Sequence, residues 1–119
     1  MKILVVDDDI EICEMLKSFF MSLGHDTNIV NVGAEVVKQV LIFEPDIVFL
    51  DIRLPDKDGL DLLKEIKDVN KILPIVIMTG YKEAEKVIDA FRFGALDCLL
   101  KPFNFDYIKN LLAHVKLNK

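Results

Sequence analysis

Short apolar runs alternate with amphipathic stretches five times along the chain. Most of the runs are rich in valine, isoleucine and leucine and are too short for a helix, so they predict buried β-strands. A segment richer in polar residues, starting at Thr27, is a weaker strand candidate. In chain order, the predicted strands are Ile3–Val6, Thr27–Val30, Ile47–Leu50, Ile75–Met78 and Leu99–Leu100.

Five predicted helices follow the strands, because apolar residues recur there every three or four positions. Helix by helix, the expected apolar positions are Ile12, Leu16, Phe19, Phe20 and Leu23; Ala34, Val37 and Leu41; Leu60, Leu63 and Ile66; Ala84, Val87, Ile88 and Phe91; and Ile108, Leu111, Leu112 and Val115. We expect Val87 and Phe91 to pack within the fold, although part of their face can remain exposed for a partner. Asp58 and Asn104 are the expected N-caps of the third and fifth helices.

The regular alternation of strand and helix predicts an α/β fold. Gly24 and Gly94 are expected to end the first and fourth helices, since glycine is favoured just after a helix. A chain that alternates in this way forms a mostly parallel sheet that is covered by helices on both faces. The length of 119 residues suits one compact domain over residues 1–119, and 52% hydrophobic residues suffice for a sizeable core.

The composition argues against several classes of function. The net charge is −5 and no block of lysine and arginine is present, which argues against direct nucleic-acid binding. Cys13 and Cys98 lie far apart without metal-ligand spacing, so reduced thiols and a cytoplasmic location are expected. No apolar run approaches the length of a membrane span, and the amino terminus does not have the pattern of a signal peptide, so no membrane association is expected.

Polar side chains follow the predicted strands at the points where the strands end. Asp7 and Asp8 follow the first strand, Asp51 the third, Thr79 the fourth and Lys101 the fifth. The carboxyl ends of parallel strands share one edge of a sheet, and ligands bind at that edge. Three carboxylates and an ammonium group at one edge predict a site for a hard divalent cation and a phosphoryl group.

These residues, in this order and spacing, resemble the response-regulator receiver domains of two-component signalling. The segments Asp51–Pro55, Asp58–Leu60 and Gly94–Asp97 also resemble the family, as does Lys101–Phe103, and the similarity covers essentially the whole chain. The resemblance implies a flavodoxin-like (βα)5 fold, a doubly wound parallel five-stranded sheet with the order 2-1-3-4-5. This order is the one known from the chemotaxis receiver, and it is carried over from the family. The resemblance also implies a cis peptide bond between Lys101 and Pro102.

The resemblance implies a phosphoryl group accepted on Asp51. Mg²⁺ would be bound by the side chains of Asp8 and Asp51 and the backbone carbonyl of Arg53, and Asp7 would act through metal-bound water. Lys101 and Thr79 would contact phosphoryl oxygens, and Gly80 would leave room for the group while offering its N–H. The physical need for the cation is clear without the resemblance, because a carboxylate is a poor nucleophile toward an anionic phosphoryl donor.

The expected donor is a histidine kinase or a histidine phosphotransfer protein. The expected output is a changed interaction with a partner protein or effector domain, through the face formed by the fourth helix, fifth strand and fifth helix. One position departs from the family, because Cys98 stands where a tyrosine or phenylalanine usually precedes the lysine by three residues. The chemistry of phosphorylation is therefore expected to be retained, while the usual rotation of an aromatic ring is absent. Asp9 and Asp56 are expected to be solvent-facing or helix-start charges.

Three other classes remain as alternatives. A hydrolase of the aspartyl-phosphate type would use Asp7 and Asp9 as a D-x-D pair, but Glu11 is atypical and the chain lacks the length for a cap. An FMN carrier needs a Ser/Thr/Gly-rich phosphate loop after the first strand, where this chain has aspartates. A pseudo-receiver would act as an interaction module independent of phosphorylation, and the complete acidic set argues against it.

Overall fold

Five parallel strands form one sheet with the order β2-β1-β3-β4-β5. The computed structural model describes residues 1–80 and 84–117. The strands are β1 (Lys2–Val6), β2 (Asp26–Val30), β3 (Ile47–Asp51), β4 (Ile75–Thr79) and β5 (Asp97–Leu100). Every pair of neighbouring strands is parallel, so all five carboxyl ends lie along one edge of the sheet. The predicted flavodoxin-like order is confirmed.

The helices connect the strands as the alternation predicts. They are α1 (Ile10–Ser22), α2 (Val36–Phe43), α3 (Gly59–Val69), α4 (Ala84–Arg92) and α5 (Phe105–Leu117), and a 3₁₀ turn at Gly33–Glu35 precedes α2. The Asp58 side chain accepts a hydrogen bond from Leu60 N at 2.8 Å, and the Asn104 side chain accepts one from Tyr107 N at 3.0 Å. Both predicted N-caps are confirmed.

Alternate residues of the central strands enter two separate cores. On one face, Leu4, Val48 and Ile77 pack with residues of α2 and α3 and with Ala90 of α4. On the other face, the neighbouring strand residues pack with α1 and α5. That second core includes Ile3, Val5, Ile47, Phe49, Val76, Met78, Leu16, Phe20, Ile108 and Leu112. Since both faces are covered, the polar ends of the strands are the part of the sheet that can meet solvent and ligands.

The buried face of α2 differs from the prediction. The pattern predicts that Ala34, Val37 and Leu41 face the core, but the structure buries Val36 and Val40 and leaves Leu41 59% exposed. The segment begins as a 3₁₀ turn, which has three residues per turn, and this shifts the register of the helix that follows. The helix is also apolar on most of its circumference, so periodicity alone could not select the correct face.

The helix α4 packs through fewer of its apolar residues than the sequence predicts. Ala90 is buried, Val87 is half-buried and Phe91 remains 48% exposed, so Phe91 packs only in part and, as the sequence analysis allows, part of this face is exposed. Ile88 is 57% exposed. A small residue at the contact lets α4 lie on the sheet, while the larger apolar side chains of the helix remain accessible. Within the described residues, no helix has both the length and the apolar character needed to cross a membrane.

Candidate functional site

The predicted site residues meet at the carboxyl edge of the sheet. Asp7 follows β1, Asp51 ends β3, Thr79 ends β4 and Lys101 follows β5. Asp7 is fully buried, and Asp51 and Thr79 are 5% and 2% exposed. Three polar side chains so deeply buried require partners, because an unpaired buried polar group costs free energy. We refer to Asp7, Asp8, Asp51 and Lys101 together as the acidic pocket.

Lys101 bridges the two buried carboxylates. Its Nζ lies 3.0 Å from Asp7 Oδ2 and 3.1 Å from Asp51 Oδ2. The peptide bond between Lys101 and Pro102 is cis, as the resemblance implies. Burial alone would lower the pKa of Lys101, but the hydrogen bond to Asp7 and the charge of Asp51 outweigh it, so the pKa is raised. The lysine is therefore a permanent positive charge in the pocket.

The second oxygen of each buried carboxylate is held by the backbone. Asp9 N donates to Asp7 Oδ1 at 2.9 Å, and Arg53 N donates to Asp51 Oδ1 at 2.9 Å. Burial raises the pKa of Asp7, and the hydrogen bonds from Asp9 N and Lys101 oppose that rise in part. The orientation of both carboxylates is thus fixed by contacts within two residues and by one lysine from the far end of the chain.

The geometry suits a divalent cation. One carboxylate oxygen each from Asp7, Asp8 and Asp51 lies within 4.8 Å of the others. Asp8 is exposed while the other two are buried, so the cluster opens to solvent on one side. Mg²⁺ prefers oxygen ligands and retains several waters, usually with only one or two protein carboxylates. The carboxylate oxygens and the open side fit these preferences if one of the three carboxylates acts through a metal-bound water.

The end of β4 supplies the remaining predicted residues. Thr79 Oγ1 donates a hydrogen bond to the Gly80 carbonyl at 2.8 Å. A Cβ atom added at Gly80 would meet nothing within 4 Å, so the position opens into free space, as expected for a residue beside a bound group. Tyr81, two residues after Thr79, lies outside the described residues.

A direct sequence match identifies the family of this chain. Residues 3–113 match the response regulator receiver domain. The chain belongs to this family. A relative of known sequence, the transcriptional regulatory protein ZraR of Escherichia coli O157:H7, is 40% identical over 119 residues, which cover 97% of this chain and 27% of ZraR. The regulatory protein AtoC of Escherichia coli K12 is 37% identical over 112 residues, which cover 94% of this chain and 24% of AtoC.

Solved structures agree with this assignment of the receiver domain. A two-component response regulator of Clostridium difficile matches with a TM-score of 0.91 at 31% identity, over 97% of this chain and 94% of the other. The receiver domain of NtrX from Brucella abortus matches with a TM-score of 0.89 at 34% identity, over 95% of this chain and 96% of the other. The chain therefore spans about the length of an isolated receiver domain and about a quarter of the length of ZraR and AtoC.

The position three residues before Lys101 holds a small side chain in this receiver domain. Cys98 lies on β5, is half-buried and packs against the core that contains α2 and α3. Burial raises the pKa of its thiol. On the neighbouring helix α5, Tyr107 donates a hydrogen bond from its hydroxyl to Asp97 at the start of β5. Among the described residues, an aromatic side chain thus contacts β5 through a polar atom from α5, whereas position 98 on β5 itself holds a cysteine.

Sequence reasoning missed four contacts around the acidic pocket. Asn31 Nδ2 donates to the Asp7 carbonyl at 2.9 Å, and Cys13 Sγ lies 3.3 Å from the same oxygen. The sequence predicts that Asp56 is a solvent-facing or helix-start charge; it is exposed, but it accepts hydrogen bonds from Gly33 N and Ala34 N at 2.9 and 3.0 Å. The partners lie 22 to 24 residues apart for the Asn31 and Asp56 bonds, so no local pattern could have indicated them.

Proposed function

We propose that residues 1–119 form one receiver domain that accepts a phosphoryl group on Asp51 and passes a conformational signal to a partner. The observation that carries this proposal is the position of the Lys101 ammonium between Asp7 and Asp51. A carboxylate held in this way has one oxygen fixed by a backbone N–H and one beside a positive charge. Both contacts orient Asp51 for attack on phosphorus without strong local repulsion.

In the transfer step, an Asp51 oxygen forms a bond to phosphorus as the bond from phosphorus to the donor breaks. We propose a phosphohistidine of a histidine kinase or of a histidine phosphotransfer protein as the donor, and its imidazole nitrogen is the leaving group. Lys101 then contacts a phosphoryl oxygen in place of one carboxylate contact. Such transfer depends on position and charge neutralisation, because the protein supplies little covalent chemistry of its own.

Mg²⁺ is the proposed cofactor. Asp8, Asp51 and the Arg53 carbonyl would hold the ion, and Asp7 would act through a metal-bound water. When bound, the ion neutralises the charge of the carboxylates and of the phosphoryl oxygens. The three carboxylates within 4.8 Å of one another fit this role, and the exposed side at Asp8 leaves room for retained waters.

The signal is proposed to begin at Thr79. Its hydroxyl donates to the Gly80 carbonyl in this structure, and a phosphoryl group on Asp51 offers a stronger, charged acceptor. The Gly80 N–H would serve as a further donor to the group. Rotation of Thr79 would reposition the segment between β4 and α4, and so the face that α4 shares with β5 and α5.

The proposed output surface carries exposed apolar side chains on three elements. We define the α4–β5–α5 face by Ile88, Phe91, Leu100 and Tyr107, which are 57%, 48%, 55% and 49% exposed. Exposed apolar groups in one region are typical of an interaction site. We propose that this face binds an output protein or effector domain in the cytoplasm, with no direct contact to nucleic acid and no membrane association.

Mass spectrometry after incubation with acetyl phosphate and Mg²⁺ tests the proposal. The protein should gain one phosphoryl group that is stable in acid and labile in base, and peptide mapping should place it on Asp51. Asp51→Asn should abolish the gain and keep the fold by circular dichroism, while Asp61→Asn, at an exposed carboxylate on α3, should be phosphorylated like wild type. A phosphoryl group on another residue contradicts the assignment. Mg²⁺ binding without any phosphorylation favours the pseudo-receiver alternative.

A further inference from the structure

The connection between β2 and α2 carries no residue of the proposed chemistry, yet it contacts the acidic pocket from one side. Asn31 directly follows β2 and is exposed, but its side-chain amide donates to the Asp7 carbonyl at 2.9 Å. Cys13 Sγ lies 3.3 Å from the same oxygen. The peptide that joins Asp7 to Asp8 is therefore held on its carbonyl side by Asn31 after β2 and by Cys13 on α1. A fixed peptide limits the directions in which the side chains of Asp7 and Asp8 can leave the backbone.

The same connection contacts the loop after β3, on the other side of the pocket. Gly33 N and Ala34 N donate to the two carboxylate oxygens of Asp56 at 2.9 and 3.0 Å. No side chain of the 3₁₀ turn itself caps its start, since Val32 stands at that position. Asp56 thus caps the turn from a different loop, and each carboxylate oxygen satisfies one N–H that would otherwise lack a partner.

The fit between the two loops is close. A Cβ atom at Gly33 would lie 2.9 Å from Lys57 Cβ and 3.0 Å from Asp56 Oδ1, so a side chain there would push the loops apart. Lys57 is itself fixed, because its Nζ lies 3.0 Å from both carboxylate oxygens of Glu65 on α3. The absence of a side chain at Gly33 is what permits the contact.

Backbone pairing closes the loop after β3, so a contact at one residue of the loop also positions its other residues. Gly59 N donates to the Ile52 carbonyl at 3.1 Å, and Arg53 pairs with Asp58 in an antiparallel bridge. This closed loop includes Arg53, whose carbonyl is a proposed metal ligand. The Asp56 contact therefore fixes the loop relative to β2, just as the Asn31 contact fixes the turn that holds Asp7 and Asp8.

We propose that Asn31 and Asp56 are positioning residues of the acidic pocket, and that the connection from Asn31 to Ala34 holds its two ligand-bearing loops at the spacing that Mg²⁺ requires. This inference rests on the proposed function. Outer-shell contacts of this kind orient the groups that bind a metal, and their loss typically weakens metal affinity roughly 10- to 100-fold. Asn31 and Asp56 act on loops rather than on the ligand atoms themselves, so the lower end of that range applies.

Calorimetric titration with Mg²⁺ alone measures the effect. Asn31→Ala and Asp56→Ala should each weaken Mg²⁺ binding by roughly tenfold. Asn31→Asp separates position from charge, because it keeps the shape and removes the N–H donor while it adds a negative charge near the pocket. Charge alone would tighten Mg²⁺ binding in this variant, whereas loss of the contact to the Asp7 carbonyl weakens it. Asp61→Ala is the control for removal of an exposed carboxylate and should bind Mg²⁺ as wild type does.

The outcomes separate this inference from the proposed function. Weaker Mg²⁺ binding in Asn31→Ala, Asn31→Asp and Asp56→Ala, with the control unchanged, supports the inference. Wild-type affinity in these variants, or tighter binding in Asn31→Asp, overturns it even when the wild-type protein is phosphorylated on Asp51. A wild-type protein that takes up neither Mg²⁺ nor phosphate overturns both. Should Asn31→Ala fail to fold, Gly33→Ala disturbs only the contact with the loop after β3 and must also weaken Mg²⁺ binding.

Discussion

The acidic pocket and the α4–β5–α5 face differ in what holds their side chains. In the pocket, Asp7 and Asp51 each have one carboxylate oxygen bonded to a backbone N–H and the other to Lys101. On the face, Ile88 and Phe91 are about half exposed, at 57% and 48%. The pocket is completed by contacts within the chain, so its geometry is ready before any partner arrives. The face has exposed apolar area that a partner protein or an effector domain would cover.

The contrast explains why the two regions respond to different changes. A group in the pocket interacts with several charges at short range, so we expect its replacement to alter stability and the proposed metal affinity and chemistry together. A half-exposed side chain on the face contributes less to the fold, so we expect its replacement to affect mainly the proposed binding of a partner. Matched substitutions in the two regions test this difference directly.

The largest expected difference is between two isoleucines. Ile66 on α3 is fully buried and Ile88 on α4 is 57% exposed. Ile66→Ala should lower the free energy of unfolding by about 3 kcal/mol, because it removes buried methyl groups and leaves a cavity. Ile88→Ala should change it by less than about 0.5 kcal/mol. Urea denaturation measures both values. Equal losses in the two variants would show that Ile88 supports the fold and is not part of an open face.

The next difference is between two lysines. Lys101→Met removes the ammonium that separates the buried carboxylates and should destabilise the metal-free protein by about 2 kcal/mol, since it leaves buried charges without a partner. Lys57→Met is the matched control, because its ion pair with Glu65 lies at the surface and contributes about 0–1 kcal/mol. Urea denaturation in the presence of a chelator gives the comparison. A smaller loss for Lys101→Met than for Lys57→Met contradicts the account of the pocket.

These regions also differ in how far the sequence predicts them. The pocket follows from strand ends, because an apolar run followed by Asp7, Asp51 or Lys101 fixes both the element and the edge at which the side chain lies. The α4–β5–α5 face does not follow from the sequence in this way, because the exposure of its side chains depends on which side of a helix meets the sheet. Phe91 fits the helical period of α4 but lies outside the core, where Ala90 makes the contact.

For a related reason, the sequence could not predict the register of α2 or the contacts between the loops. Val36 and Val37 are equally apolar, and the 3₁₀ turn that selects between them has no local signature. The bonds from Asn31 to Asp7 and from Gly33 to Asp56 join loops that lie far apart in sequence. Such contacts depend on the finished arrangement of the sheet, which a local pattern does not contain.

A smaller effect is expected at Asp8, the exposed carboxylate of the pocket. Asp8→Ala should weaken Mg²⁺ binding more than Asp7→Ala does, because Asp8 is the proposed direct ligand. The same change should stabilise the metal-free protein by about 1 kcal/mol, since it relieves one repulsion between close carboxylates. Calorimetric titration with Mg²⁺ and urea denaturation with a chelator give the two values. Wild-type Mg²⁺ affinity in Asp8→Ala would remove Asp8 from the metal site.

The smallest expected effect concerns the lifetime of the phosphorylated state. Hydrolysis needs a water in line with the bond from phosphorus to Asp51, and the family resemblance leads us to expect the side chains of Arg53 and Tyr81 beside its approach. Both side chains are long, so they would exclude water or take its place, and arginine could also hold a phosphoryl oxygen. We therefore expect slow autodephosphorylation, which suits a relay or a sustained switch.

The double variant Arg53→Ala with Tyr81→Ala should shorten the half-life of the phosphoprotein by roughly threefold, which corresponds to about 0.7 kcal/mol of barrier. Decay of the phosphoprotein after removal of acetyl phosphate gives the half-life. Arg92→Ala with Tyr107→Ala replaces the same residue types on α4 and α5, where Arg92 lies in the last turn of α4 and the Tyr107 hydroxyl contacts Asp97 at the start of β5, and should leave the half-life unchanged. An unchanged or longer half-life in the first double variant would show that water reaches the phosphoryl group by a path that these side chains do not obstruct. Equal shortening in both double variants would instead connect lifetime to the α4–β5–α5 face, and so remove the distinction between a pocket that performs the chemistry and a face that transmits its result.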